Sequence, residues 1–226
     1  MKTKIKSIVL SNVKFRDNSL IISVLSDKLS KIQIFASGIY NKKQNLAGTV
    51  DFFSVSNMVI NKSKNTFYLT ESDLLLKSKF DYNNFNKYIL CNLVSEIIDK
   101  SIPEGYYIPN LYEMTEMLVY MLNDGADPFI LTEAWILKYC ALHGYRLDNM
   151  LENHEDFKFI FNKEDLEIAI KLMKTKFQSI IDSKIKSEDR FLMSVISFLK
   201  FCFDFSILNS EKFIKEAIYV RQNNYK

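Results

Sequence analysis

The sequence predicts an α+β protein, with a strand-built region of about 80 residues ahead of an all-helical one. Three observations predict it. The hydrophobic rhythm changes from a two-residue to a roughly four-residue repeat near Asp81. Charge is polarised: residues 1–80 hold 13 Lys and Arg against 5 Asp and Glu, a net +8, whereas residues 81–226 hold 17 against 22, a net −5. Five Gly and three Pro in 226 residues imply long regular elements and few irregular loops. An apolar fraction of 48%, with 14% aromatic residues, suits a folded chain with a sizeable core. The expected division is therefore 1–80 and 81–226.

The first strand is "KIKSIVLSNVKF", mixed but rich in β-branched residues. "SLIISVLS" follows as a compact run bounded by Asp17-Asn18 and Asp27. "KIQIFAS" alternates, with Ile32, Ile34 and Ala36 in one phase and Gln33, Phe35 and Ser37 in the other. Gly38 breaks the rhythm, and a loop carries Tyr40, Lys42 and Lys43. "VDFFSVSNMVI" reads as a long fourth strand, and "TFYLTESDLL" as a fifth after the turn-like "NKSKN". Five strands with one longer loop suit a small barrel, of which the OB-fold is one kind; an SH3-like barrel or an open meander fits the periodicity too.

From Asp81 the pattern is helical. In "NNFNKYILCNLVSEIIDK", Phe85, Ile89, Leu93 and Ile97 recur every fourth residue. "PEG" at 103–105 ends that helix, and Pro109 restarts one through "NLYEMTEMLVYML". Asp127 and Pro128 have the chemistry of an N-cap and first helical position for "FILTEAWILKYCAL", which Gly144 stops. Residues 146–162 read as irregular. "KEDLEIAIKLMKTKFQSII" and "SEDRFLMSVISFLKFCF" read as helices with acidic first turns, and "SEKFIKEAIYV" as a last short one.

Catalytic chemistry is hard to find. The sequence has no phosphate loop, dinucleotide fingerprint or nucleophile elbow. Cys91, Cys140 and Cys202 are widely spaced in apolar segments and read as buried thiols, with no zinc-ligand spacing. His143 sits at a helix end, where a cation suits the dipole, and His154 lies in a loop with Glu152, Glu155 and Asp156, read as solvated. The apolar run behind the amino terminus is too short for a signal-peptide core, and "FLMSVISFLKFCFDFSIL" is interrupted by Lys200 and Asp204. A cytoplasmic, non-enzymatic protein with no metal, no cofactor and no membrane contact is expected.

The basic half carries the functional expectation. Lys14 and Arg16 lie between the first two strands, and Lys62 and Lys64 between the last two. In an OB-fold those loops flank the oligonucleotide face. Tyr40, Lys42 and Lys43 come from the long loop, and Lys31 opens the third strand. Cations along the phosphates and aromatic faces for bases are what single-strand binding uses.

In order and spacing, "SLIISVLSDKLSKIQIFASG", "FYLTESDLL", "LVSEIIDKSIPEG" and "DGADPFIL…WILKYCALHGY" resemble the RecO family of bacterial recombination mediators. The resemblance covers most of residues 1–150. It implies an amino-terminal OB-fold and a helical domain, binding of single- and double-stranded DNA, strand annealing, and work with RecR and the single-strand-binding protein SSB. Many members carry a four-cysteine zinc element after the Gly-Tyr; "RLDNMLENHEDFKFIF" has no cysteine, so none is expected. The helix before Gly-Tyr, which in the family can receive the acidic SSB tail, has Glu133 and Ala134 where arginine is common. That places the tail contact in doubt or moves it to Lys138 and Arg146 beside Trp135, whose own pattern reads as core packing. Two further functions stay open from the residues alone: a protein-interaction adaptor and an RNA-binding module.

Overall fold

The computed structural model describes residues 2–39, 46–80, 85–150, 159–188 and 190–224. Its first five strands are β1 (Lys2–Lys14), β2 (Ser19–Ser26), β3 (Ser30–Ser37), β4 (Val55–Ser63) and β5 (Thr66–Leu76). They close into a barrel in the order β1-β2-β3-β5-β4. Every pairing is antiparallel except the short β3–β5 seam, which joins Ile34 to Phe67 and Phe35 to Tyr68. β1 serves two neighbours, pairing β4 from Lys2 to Ile8 and β2 from Ser7 to Lys14. The register shift between Val9 and Ser11 gives the bend that closure needs. Alternation sends Ile5, Val9, Ile22, Val24, Ile32, Ile34, Met58 and Ile60 inward, where all are buried. The fold is an OB-type barrel followed by helices, as the resemblance implied and as one of the arrangements that the periodicity allowed.

One strand boundary differs from expectation. "VDFFSVSNMVI" is not continuous: a 3-10 turn ends at Val50, and the strand begins at Val55. Between them Phe53 has a left-handed φ of 58° and is fully buried. Its ring is packed by a turn instead of a pleat, and Ser54 Oγ holds that turn by donating to the Asp51 carbonyl at 2.7 Å.

The chain forms two compact units, Met1–Lys79 with Ile97–Asn123, and Phe80–Glu96 with Asp124–Lys226. In the first, the end of α1 (Phe85–Ser101), the following loop and α2 (Leu111–Asn123) belong with the barrel. Lys6 pairs with Glu116 at 2.5 Å, and the Gly105 amide donates to the Lys31 carbonyl at 2.9 Å. The Asn123 side chain donates to the Lys77 carbonyl and accepts from the Lys79 amide.

The second unit contains α3 (Pro128–Leu142), α4 (Leu147–Met150), α5 (Lys163–Lys174), α6 (Phe191–Phe203) and α7 (Glu211–Asn224). The Asp127 carboxylate caps α3 by accepting from the Phe129 amide at 2.8 Å. Gly144 follows the helix with a φ of 91°, where a side chain would be strained. α5 ends at Lys174, earlier than its pattern suggests, and α6 begins at Phe191, so its first turn holds no acid. Trp135 stacks on Tyr139, Tyr139 on Phe203, and Phe203 on Phe205. All three cysteines are buried free thiols, and burial pushes the Cys91 and Cys140 thiols up, away from the reactive thiolate. Among the described residues, no helix is long and apolar enough to cross a membrane.

A single carboxylate secures the start of α7. Glu96 accepts from the Asn209 amide at 2.7 Å and from the Ser210 amide and hydroxyl at 2.9 and 2.6 Å. Charge-assisted bonds at a helix start gain from the dipole as well. Glu96→Ala is expected to cost about 2 kcal/mol of unfolding free energy, read by urea titration followed by circular dichroism. An unchanged midpoint would show that the α6–α7 connection holds without it.

Candidate nucleic-acid interface

The outward residues of the barrel build a row across four strands. Val13 faces Ile21, Ile21 faces Phe35, and Phe35 faces Tyr68 in the strand register. Because β residues alternate faces, these four point away from the core as a set. Val13 is 61% exposed, Tyr68 39%, and Phe15, just beyond the end of β1, 40%. The rings touch edge to face: Phe15 and Phe35 lie 5.7 Å apart at 81°, and Phe35 and Tyr68 5.7 Å apart at 75°. Exposed aromatic surface on this scale costs free energy in water, and a row of it on a strand face is suited to flat ligands.

Cations stand at both ends of the row. In the β1–β2 connection Lys14 is exposed, and Arg16, at a φ of 63°, holds its guanidinium 5.3 Å from the centre of the Phe15 ring. At the β4–β5 turn Lys62 sits 5.3 Å from the centre of the Phe67 ring, and Lys64, at a φ of 51°, is exposed. Among the described residues, none of these four pairs with a carboxylate; the ion pairs of this unit lie elsewhere, at Lys2–Glu71, Lys6–Glu116, Lys31–Asp99 and Lys77–Asp51. Two loops 45 or so residues apart in sequence thus bring four uncompensated charges to one face, as the OB geometry requires.

The chain leaves β3 beside the same loop, since the Gly38 amide donates to the Asn18 carbonyl at 2.8 Å. Tyr40, Lys42 and Lys43 follow, and they lie outside the described residues. Lys31 does not join the set. It is only 8% exposed, and its ammonium donates to the Asp99 carbonyl at 2.6 Å and carboxylate at 3.2 Å. It is a clamp between β3 and the end of α1. Lys31→Ala is expected to lower stability by about 2 kcal/mol while leaving DNA affinity within two-fold or so of wild type. A matched loss of affinity at unchanged stability would return Lys31 to the binding face.

The three residues expected to meet a partner protein are otherwise engaged. Trp135 is fully buried, stacked 5.0 Å from Tyr139, so it is core and offers no surface. Lys138 donates to the Met173 carbonyl at 2.9 Å, tying α3 to α5, and burial lowers its pKa. Arg146 is exposed but bonds both oxygens of Asp148, at 3.2 and 3.0 Å. Phe15, Phe35 and Tyr68 are the residues that sequence reasoning passed over; the outward phase of "KIQIFAS" already carried the signal for Phe35. Among the described residues, no group of three His, Cys, Asp or Glu could hold a metal ion.

Comparison with known proteins agrees with this architecture. Residues 1–76 match the family described as "Recombination protein O N terminal", and residues 82–151 match "Recombination protein O C terminal". A DNA repair protein RecO of Mycoplasma mycoides is 27% identical over 159 residues, which cover 69% of this chain and 61% of the relative. One of Clostridium acetobutylicum is 28% identical over 147 residues, covering 64% and 59%. One of Mesoplasma florum is 26% identical over 173 residues, covering 74% and 64%. The chain thus spans less than two thirds of the length of these relatives.

Proposed function

The chain belongs to the RecO family, and on that premise we propose that it is a non-catalytic recombination mediator in cytoplasmic DNA repair, binding single- and double-stranded DNA and annealing complementary strands. The observation that carries the proposal is the aromatic row Phe15–Phe35–Tyr68, with unpaired Lys14, Arg16, Lys62 and Lys64 at its ends. The cations engage phosphates of either form of DNA and confer affinity without sequence preference. The rings accept bases only where the bases are unstacked, so they act on single strands. A strand held by its backbone and by a few faces keeps most base edges free, which is the condition for pairing with a complement. RecR and SSB are the protein partners in this scheme, and the helical unit is where they dock.

The test is fluorescence anisotropy of labelled single- and double-stranded oligonucleotides over a salt series. The observed association constant should fall linearly on a log–log plot, with a slope near −0.7 per phosphate contact for single strands and near −0.9 for duplex. Annealing of complementary strands coated with SSB, with RecR present and absent, then separates a mediator from a simple DNA binder. A flat salt response, or no acceleration of annealing over protein-free strands, would sink the proposal. An RNA strand bound more tightly than its DNA counterpart would point to the 2′-hydroxyl as a ligand and to an RNA-binding role instead.

A further inference from the structure

The outer face of β3 is open at one end and covered at the other. Phe35 stands in the aromatic row, Gln33 is exposed two residues earlier, and Lys31 is buried. At this end of β3 the Lys31 side chain is held by Asp99 of α1, and the loop between α1 and α2, residues 102–110, lies against the strand's backbone in the same compact unit as the barrel. The Gly105 amide donates to the Lys31 carbonyl, and the Ser30 hydroxyl donates to the Tyr106 carbonyl. Internal bonds fix the loop further: Tyr106 N to the Pro103 carbonyl at 3.2 Å, and Leu111 N to the Ile108 carbonyl at 3.3 Å. Gly105 and Asn110 adopt φ values of 74° and 65° to make these turns.

This pinned loop presents two adjacent aromatic side chains to solvent. Tyr106 is 60% exposed and Tyr107 52%, and neither ring stacks on a neighbour among the described residues. A backbone held this firmly displays its rings at small entropic cost on binding. The distance from Phe35 back to Lys31 is four strand residues, about 13 Å at 3.3 Å per residue. That is roughly four nucleotides at the stacking rise of 3.4 Å. The nearby charges are mixed. Lys28, in the β2–β3 turn, donates to the Lys4 carbonyl; on the loop's own side Lys100 and Glu104 are exposed, and Asp99 is paired with Lys31. The loop itself carries one charged residue, Glu104, so it offers stacking surface with no cation of its own.

We infer that Tyr106 and Tyr107 form a second base-stacking station for single-stranded nucleic acid, at the opposite end of the β3 track from the basic loops. The station rests on the DNA-binding reading of the barrel face and extends it beyond the five strands. It makes the site a composite of the barrel and the segment that folds back over it. The basic loops hold one part of the strand by charge, and the tyrosines hold a part about four nucleotides away by stacking alone.

Thymidine oligomers of about four and about twelve nucleotides, bound to the full chain and read by displacement of a labelled strand, test this. Tyr106→Ala with Tyr107→Ala should weaken binding of the longer oligomer about ten-fold or more. It should leave the shorter oligomer, the salt slope and the melting temperature as in wild type. Tyr106→Phe with Tyr107→Phe should restore the longer oligomer's affinity, because the ring and not the hydroxyl does the work. Unchanged affinity for the longer oligomer, in a series where Phe35→Ala with Tyr68→Ala has lost it, would overturn the station and leave the barrel site standing. An equal loss for both lengths would also overturn it. If wild-type protein held neither oligomer in dilute salt, the DNA-binding reading itself would fall.

Discussion

Glu133→Gln should raise the melting temperature at neutral pH and remove most of the decline in stability between about pH 5 and pH 8. Glu133 lies on α3 with no exposed surface, in the interior of the helical unit. Its Oε2 accepts from the Ser187 hydroxyl at 2.7 Å, and its Oε1 has no hydrogen-bond partner among the described residues. Burial raises its pKa from 4.5 to about 8; the Ser187 bond and the Arg221 charge oppose the rise, and Asp127 and Asp165 add to it. Below the ordinary value both folded and unfolded chains carry the proton, and the residue contributes nothing to pH dependence. Above it the unfolded chain ionises while the folded one stays neutral, so stability falls as pH climbs until the folded group ionises in turn. At 1.36 kcal/mol per unit, the decline is on the order of 4 kcal/mol over the window. Glutamine keeps the shape and can still accept from Ser187, but never ionises. The gain should be near zero at pH 4 and about 3 kcal/mol at pH 7, read as the difference between wild-type and variant melting curves. Parallel curves at all pH values would mean that water or a rearranged cation reaches the carboxylate.

The elements that sequence could supply were those with an uninterrupted local rhythm. "SLIISVLS" is β2 to the residue, and the Asp127-Pro128 start and Gly144 stop of α3 are local chemistry that long-range packing has no reason to override. The failures share a cause. Val50 and Phe53 are as apolar as strand residues, so a composition-based reading joins them to β4, yet they are buried by a turn with Phe53 in the left-handed region. Glu188 precedes α6 instead of entering it, because the helix starts only where Phe191 reaches the core.

The candidate site divides along the same line. Lys14, Arg16, Lys62 and Lys64 could be grouped once five strands were assumed, since the loops of a barrel have fixed neighbours. Lys31 looked like a fifth member, and nothing local distinguishes it. Its carboxylate partner, Asp99, lies 68 residues on and is brought to it only by the segment folding back over the barrel. Leu25 and Ser23, in the outward phase of β2, are buried, whereas Tyr68 is exposed and Phe35 half-exposed, a difference that no periodicity could announce. Trp135 shows the converse: its own helical pattern said core, the resemblance said partner contact, and full burial sides with the pattern.

Two variants of the barrel face should fail in different ways, and the difference is the strongest test of how it holds DNA. Arg16→Glu with Lys62→Glu and Lys64→Glu removes three unpaired cations and installs repulsion. It should weaken single- and double-stranded DNA alike by about 100-fold or more in dilute salt, and flatten the single-strand salt slope by about 2. Phe35→Ala with Tyr68→Ala leaves every charge in place. It should weaken single strands by about 1–3 kcal/mol per lost stack, at all salt concentrations, and leave duplex binding nearly untouched, because paired bases present no free faces. Both sets of side chains are on the barrel's exterior, so the melting transition should move little. Were the aromatic variant to weaken duplex and single strand equally, or to change the salt slope, the rings would be supporting the loops instead of meeting bases. The face would then be a purely electrostatic one, and strand selectivity would have to arise elsewhere in the chain.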